Sequence, residues 1–314
     1  MNHNPRSLPR NDFPARQPRF SCGLRFPPVV LYFHMGQPVK ASRSKPGRHR
    51  GADPEDERSF GARRLADLRQ AVSDVCWLLD RGYGISSATE LAGDRYHLTR
   101  RQRIAVARCS CSGQARERRR SHSVAPSDLC GRELWLDGLN VLTAVETALG
   151  GGVILIGRDG CCRDVAGVYS HYRKVEETVP ALEMIGKSLA QWGVSGCRWW
   201  LDSPVFNSGR LKAIILEAAM AAGWPWGVEL VTNPDRVLST ADQIIASADH
   251  VILDRCRRWF NLTRQVIASQ VPQARVADLG DLPIDEVNQG ASAGLDRTMT
   301  KAGSDPGGQT APAP

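Results

Sequence analysis

The sequence predicts an α/β domain with a mostly parallel central sheet over residues 128–282, preceded by a small all-helical domain over 51–127. Three observations predict it. Short β-prone runs alternate with helical stretches after residue 130, the rhythm of strand–helix–strand units. The runs are near-continuously apolar, as strands covered on both faces are. Before residue 130 the apolar residues recur at three- and four-residue steps instead, the period of a helix face.

Taken in order, residues 1–50 are rich in Pro, Arg, Ser and Asn without apolar period and are predicted to be a disordered basic extension. Nothing ahead of Met35 looks foldable, so Met35 is a candidate start. In the helical domain, Leu65, Leu68, Val72, Val75 and Leu79 fall on one helix face, and Gly82 and Gly84 stop it. A second short helix is expected over 86–91. Thr99 is the expected N-cap of a third that carries Ile104 and Val106. Residues 116–127 read as a polar, basic linker.

In the α/β domain, Glu133–Leu136 is a strand ending on Asp137, and a helix follows over 139–149 until Gly150-Gly151-Gly152 stops it. Val153–Ile156 is a second strand. Pro180 sits in the first turn of a helix bearing Leu182, Ile185, Leu189 and Trp192. Cys197–Leu201 is a third strand, ending on Asp202, followed by a helix over 211–222. Val228–Val231 and His250–Leu253 are read as the fourth and fifth strands. The tail 283–314 is Gly, Pro, Ala and Ser with scattered charge and is predicted to be disordered.

Composition excludes some functions. No run reaches the 18 or more apolar residues needed to span a bilayer, and the run 27–33 is too short and proline-rich for a signal-peptide core. A cytoplasmic chain without a membrane partner is therefore expected. The nine cysteines contain no C-x-x-C pair, which argues against a zinc site and for reduced thiols acting as small hydrophobes. A Walker-type phosphate loop is absent. The net charge is +8, and nine arginines fall between Arg95 and Arg120. Such a surplus suits a polyanion partner, RNA foremost, although a solvated helix face explains it equally well.

Ligands of open α/β sheets bind outside the carboxyl ends of the strands. Asp137 and Asp202 stand at that edge, Asp159 lies three residues beyond the second strand, and Asp249 and Asp254 flank the expected fifth. Carboxylates gathered there repel one another unless a cation sits between them, and hard oxygen ligands select Mg²⁺ or Mn²⁺. Asp159 and Asp249 are alternatively simple caps of neighbouring turns. Gly138 permits a tight strand-to-helix turn, and Asn140 in the first helical turn is placed to support Asp137 or its metal. Asn207-Ser208-Gly209-Arg210 opens a helix after Asp202 and offers a phosphate site, with Asn207 or Ser208 equally readable as an N-cap. Arg158, Arg163, Arg173 and Lys174 surround the acidic edge as candidate backbone contacts or plain surface charge. His171 and His250 are weaker candidates for proton transfer. Trp199 and Trp200 read as sheet core, and Trp224-Pro225-Trp226 as packing at the sheet edge rather than a base-stacking loop.

The motif Leu136-Asp137-Gly138-Leu139-Asn140-Val141 resembles the opening strand of PIN-like and NYN-type nucleases, and Ser247-Ala248-Asp249-His250-Val251-Ile252-Leu253-Asp254 resembles their late acidic motif. A broader resemblance runs from about Gly51 to Gly280. It rests on Arg50–Asp56, Val75–Tyr83, Gly93-Asp94-Arg95, Gly157–Cys161, Tyr172–Thr178, Leu201–Val205 and Asn207–Leu211, and is to the domain-of-unknown-function 434 proteins. That resemblance implies a helical part followed by a three-layer PIN-like domain. It implies activity only by analogy: a metal-dependent ribonuclease in which Asp137, Asp202 and Asp249 act at the metal. The nuclease pattern also implies an acid on a mid-domain helix, for which Glu176 and Glu177 both stand as candidates. The competing functions are non-catalytic nucleic-acid binding through the basic helices, with salt-sensitive affinity, and another metal-dependent phosphoryl-transfer reaction. Oligomeric state is not legible in the sequence.

Overall fold

The computed structural model describes residues 48–165 and 172–280, all within one compact unit. The predicted extension up to residue 47 with its Met35, His171 and the tail 283–314 lie outside the described residues.

Five helices come first: α1 (Asp56–Phe60), α2 (Ala62–Leu79), α3 (Ile85–Arg95), α4 (Arg100–Cys109) and α5 (Gly113–His122). Leu68, Val72 and Val75 of α2 are buried, as their spacing predicts. Thr99 caps α4 in a reciprocal box: its hydroxyl accepts from the Gln102 N–H at 3.3 Å, and Gln102 Oε1 accepts from the Thr99 N–H at 2.9 Å. Residues 116–127, expected as a linker, are largely helical. Ser112 starts that helix by accepting the Ala115 N–H at 3.1 Å, arginine is a good helix former, and Arg119 is buried on it.

The α/β part continues with β1 (Glu133–Asp137), α6 (Gly138–Leu149), β2 (Val153–Ile156), β3 (Cys162–Asp164), α7 (Thr178–Gln191), β4 (Gly196–Asp202) and α8 (Ser208–Ala222). It closes with β5 (Trp226–Val231), α9 (Pro234–Thr240), β6 (Ile244–Ala246), α10 (His250–Leu253), α11 (Leu262–Gln270) and β7 (Arg275–Asp278). The main sheet has the order β5-β4-β1-β6 and every pairing in it is parallel. A second sheet, β3-β2-β7, pairs β2 with β7 in parallel and with β3 antiparallel. The fold is thus α/β, mostly parallel, with a helical N-terminal region. Among the described residues no helix is long and apolar enough to cross a membrane.

Two expectations about strands are corrected. Val153–Ile156 belongs to the second sheet, not to the one that ends in Asp137 and Asp202. His250–Leu253 is a short helix, and the strand lies earlier, at Ile244–Ala246. The cause is local: Asp249 Oδ1 accepts from the N–H groups of Val251 (2.7 Å) and Ile252 (3.2 Å). This N-cap overrides the β-propensity of Val251-Ile252-Leu253.

The main sheet is covered on both faces. Leu134, Leu136, Trp199 and Leu201 point to one side, where they pack with Leu142 and Val145 of α6, Leu182 and Ile185 of α7, and Leu211 and Ile215 of α8. Trp135 and Trp200 point to the other, against Leu238 of α9 and Ile252 and Leu253 of α10, with their rings 4.8 Å apart. The strands therefore alternate large residues between two dry layers. Trp224 and Trp226 stack at 4.7 Å beside Trp199, at the edge formed by β5. The second sheet buries Val153, Leu155 and Ala277 against Leu68, Val72, Ala105 and Val106 of the helical part. The helices and the α/β part share this core.

Residues 48–51 form a strap across the α/β part. Arg50 Nε donates to Glu146 Oε2 at 2.8 Å, and the other oxygen of this fully buried carboxylate accepts from Tyr172 (2.6 Å) and Thr178 (2.7 Å). Gly51 bridges Gly151, and His49 Nδ1 lies 2.8 Å from Glu177 Oε1.

Candidate acidic cleft at the carboxyl edge of the main sheet

Because all four strands of the main sheet run parallel, their carboxyl ends share one edge. An aspartate follows each: Asp137 ends β1, Asp202 ends β4, Asp235 lies in the first turn of α9 after β5, and Asp249 caps α10 after β6. All four line one cleft of about 390 Å³, together with Asn140, Thr143, Arg108, Arg163, Asp164 and His250. The cleft opens where the strand order reverses direction, between β1 and β6, which is where open α/β sheets bind ligands.

Gly138 is needed here for close packing rather than for an unusual backbone angle. A Cβ on it would stand 2.5 Å from Leu201 Cδ2 and 3.1 Å from the Trp200 carbonyl oxygen. The first turn of α6 consequently presses on β4, and Asp137 and Asp202 line the same cleft. Asn140 Oδ1 accepts from the Ala248 N–H at 2.9 Å, so the Asn140 side chain ties α6 to the β6–α10 loop, while it is the Asn140 backbone that favours the charged form of Asp137. The Ser247 hydroxyl donates to Asp137 Oδ2 at 2.8 Å and accepts from the Asp249 N–H at 2.9 Å. One hydroxyl therefore links two of the four acids.

The electrostatics follow from this crowding. Burial pushes the Asp137 carboxyl up to about 7; the Ser247 hydrogen bond opposes this, and the charges of Asp249 and Asp235 add to it. Burial and the charge of Asp235 raise Asp202, while burial and the charge of Asp249 raise Asp235. His250 is pushed down to about 4 by burial and by the Arg163 guanidinium. Its Nε2 lies 3.0 Å from the Arg108 carbonyl oxygen, which can only accept, so Nε2 carries the proton of a neutral ring. His250 is thus set against proton transfer near neutral pH.

Four expected ligands are elsewhere. Asp159 is buried at the centre of an ionic network, receiving both terminal nitrogens of Arg163 (2.8 and 2.6 Å) and Arg119 Nη1 (2.6 Å). Burial alone would raise its carboxyl, but Arg163 and Arg119 hold it well below the usual range. Asp254 caps the far end of α10 and accepts from Arg119 Nε at 2.7 Å. Glu176 and Glu177 precede α7 and hold His49 of the strap, so neither serves as the cleft's mid-domain acid. None of these four lines the cleft.

The expected phosphate contacts do not line it either. Asn207 adopts a left-handed backbone (φ 72°) and its amide donates to the Tyr172 carbonyl at 2.9 Å. Ser208 Oγ donates to the carbonyls of Asp202 (2.5 Å) and Val205 (2.7 Å), so neither side chain caps α8. Arg210 borders a small hollow with Tyr172 and Lys174, Arg158 borders another with Arg264 and Asp278, and Arg173 is an exposed surface residue.

Asp235 and Ser247 were not anticipated. The signal for Asp235 was available: Asn233-Pro234 directly after an apolar strand marks an N-cap and a first helical turn at the strand's carboxyl end. Asn233 indeed accepts the Arg236 N–H at 2.9 Å. Ser247 opens the segment that resembles the late acidic motif, but its bond to Asp137 has no local signal, since only the fold brings the two together. Of the arginine-rich stretch, Arg95, Arg101, Arg103, Arg108, Arg119 and Arg120 all face acidic partners within the chain.

The chain is 26% identical over 186 residues to an uncharacterized protein of Methanocaldococcus jannaschii, covering 59% of this chain and 88% of that protein. No solved structure matches it. Residues 126–265, from just ahead of β1 into α11, match the family described as domain of unknown function DUF5616, and residues 67–122, from α2 through α5, match the family described as protein of unknown function DUF434.

Proposed function

We propose that this protein is a metal-dependent ribonuclease with a PIN-like (NYN-type) α/β domain, hydrolysing RNA phosphodiesters at the acidic cleft. One observation carries the reading: four parallel strands each deliver an aspartate to a single cleft at the reversal point of the strand order. The resemblance of Leu136–Val141 and Ser247–Asp254 to the acidic motifs of such nucleases supports it, because both segments border that cleft.

The donor set suits Mg²⁺ or Mn²⁺. It consists of carboxylates, which are hard oxygen ligands. Asp137, Asp202 and Asp235 are all raised, so the cluster as it stands disfavours its own ionisation, a condition that a cation relieves. Among the described residues no three such side chains are already drawn together tightly enough to hold an ion, so ion binding has to gather them. When bound, the ion supplies Lewis-acid polarisation of a phosphate and neutralises its charge.

The chain's own residues would do the rest. Asp137, Asp202, Asp235 and Asp249 bind; Ser247 holds the Oδ2 edge of Asp137; the Asn140 side chain fixes the opposite loop. An acidic cleft repels a polyphosphate chain, so RNA should enter only together with the cation.

The test uses the full chain with labelled single-stranded RNA in Mn²⁺, Mg²⁺ or EDTA. Cleavage in either metal, absent in EDTA and lost in Asp137→Asn and Asp202→Asn, is the expected result. Pure protein that leaves a varied RNA pool intact in both metals overturns the proposal. Turnover of nucleotides in place of RNA would point to another phosphoryl-transfer reaction at the same cleft. Binding by the basic helices alone has less support, since their arginines are largely engaged within the chain.

A further inference from the structure

The buried Asp159 network does more than neutralise itself. Arg163 uses its two terminal nitrogens on Asp159 and aims its remaining nitrogen, Nε, at the Ala248 carbonyl oxygen at 2.8 Å. Ala248 lies between Ser247, which holds Asp137, and Asp249, which lines the cleft. Both polar groups of the Ala248 backbone are thereby committed, N–H to Asn140 and C=O to Arg163. The same Asp159 also receives Arg119, whose Nε holds Asp254 at the far end of α10. The four-residue helix and the loop before it are gripped at both ends from one buried carboxylate.

We propose that Arg163, braced by Asp159 and Arg119, is a positioning residue of the acidic cleft: it fixes the Ser247–Asp249 loop and so sets where the carboxylates of Asp137 and Asp249 stand. The inference rests on the metal-dependent reading above for its consequence, and on hydrogen-bond geometry for its mechanism. A lone Asp159–Arg163 ion pair would need only the terminal nitrogens. The third bond, to a backbone carbonyl beside two cleft acids, is what converts a buried pair into a support for the site. Only a guanidinium reaches both partners at once, because its donors diverge in a fixed plane, whereas an ammonium is a compact point charge. Groups that orient metal ligands from behind typically change metal affinity by about 10–100-fold when altered.

The experiment compares Arg163→Lys in the full chain with Val266→Ala, a core substitution on α11 away from the cleft, at temperatures where both are folded. Two quantities are read: Mn²⁺ affinity by titration, and amide hydrogen exchange of Ala248 and Asp249 without metal. Expected for Arg163→Lys is Mn²⁺ binding weaker by about tenfold or more and faster exchange at both amides, while Val266→Ala moves neither. Asp159→Asn, which keeps the shape but loosens the grip on Arg163, should move both in the same direction and serves if Arg163→Lys does not fold. Wild-type affinity and exchange in Arg163→Lys overturn the proposal, and so does an equal loss in Val266→Ala, which would mark the effect as general destabilisation. If the wild-type chain itself binds no Mn²⁺, the metal reading fails, and the exchange measurement decides the loop clamp on its own.

Discussion

Asp137→Asn should stabilise the metal-free protein in alkaline solution while leaving it unchanged in acid. The carboxyl is pushed from the ordinary 3.8 up to about 7 in the fold, by burial first. Below pH 3.8 it is protonated in both the folded and the unfolded chain, so it contributes no difference. Between there and pH 7 the unfolded chain releases the proton and the folded chain keeps it, so stability falls as pH rises through that window. Above pH 7 the loss is complete. At about 1.4 kcal/mol per tenfold change in proton affinity, the ionised form costs up to about 4 kcal/mol, less whatever the cleft's open side lets water recover. The amide of Asp137→Asn carries no charge and still offers an oxygen to the Ser247 hydroxyl. Thermal melts in EDTA at pH 4.5, 6 and 8 measure the effect. The variant should melt about 2–4 °C higher than wild type at pH 4.5, where about 1 kcal/mol is already lost, and roughly 10 °C higher at pH 8, given about 2–4 °C per kcal/mol for a chain of this size. A variant less stable than wild type at pH 8, or a gap independent of pH, refutes the argument.

Three further outcomes follow from the same geometry. Gly138→Ala should lose about 1–3 kcal/mol, because its Cβ collides with Leu201 and the Trp200 carbonyl; a denaturation midpoint equal to wild type would contradict this. Arg119→Met should lose about 3 kcal/mol, since Asp159 keeps one of its two cationic partners and Asp254 is left without the Arg119 bond; a change below about 1 kcal/mol would show that the network relaxes around the loss. His250 should titrate near pH 4 in a histidine NMR series, and an imidazolium persisting at pH 6.5 would remove the basis for its neutral, non-shuttling state.

What the sequence reveals and what it hides divide along physical lines. The apolar period of α2, the N-cap at Thr99 and the strands ending on Asp137 and Asp202 are local signals, and each is realised where it was read. The errors arise where a local cap or a distant partner outweighs propensity. Val251-Ile252-Leu253 is as β-prone as any strand in the chain, and a single carboxylate ahead of it turns it into helix. Asp159 sits after a strand as a ligand would, but its strand belongs to the second sheet, and two arginines far apart in sequence close over it. Charge composition is equally incomplete without the fold. Of nine arginines in 26 residues, six face acids within the chain, and sequence alone does not pair them.

The shared core beneath the second sheet has a practical consequence for anyone dissecting this molecule. The two matched segments, 67–122 and 126–265, invite a cut between them, yet β2 rests on α2 and α4, and its parallel neighbour β7 begins only at Arg275. A fragment covering the second segment alone would bare an aliphatic sheet face, lose a ladder partner and strip Arg119 from Asp159. Expressed in pieces, the halves should aggregate; produced as one polypeptide through residue 280, they complete each other.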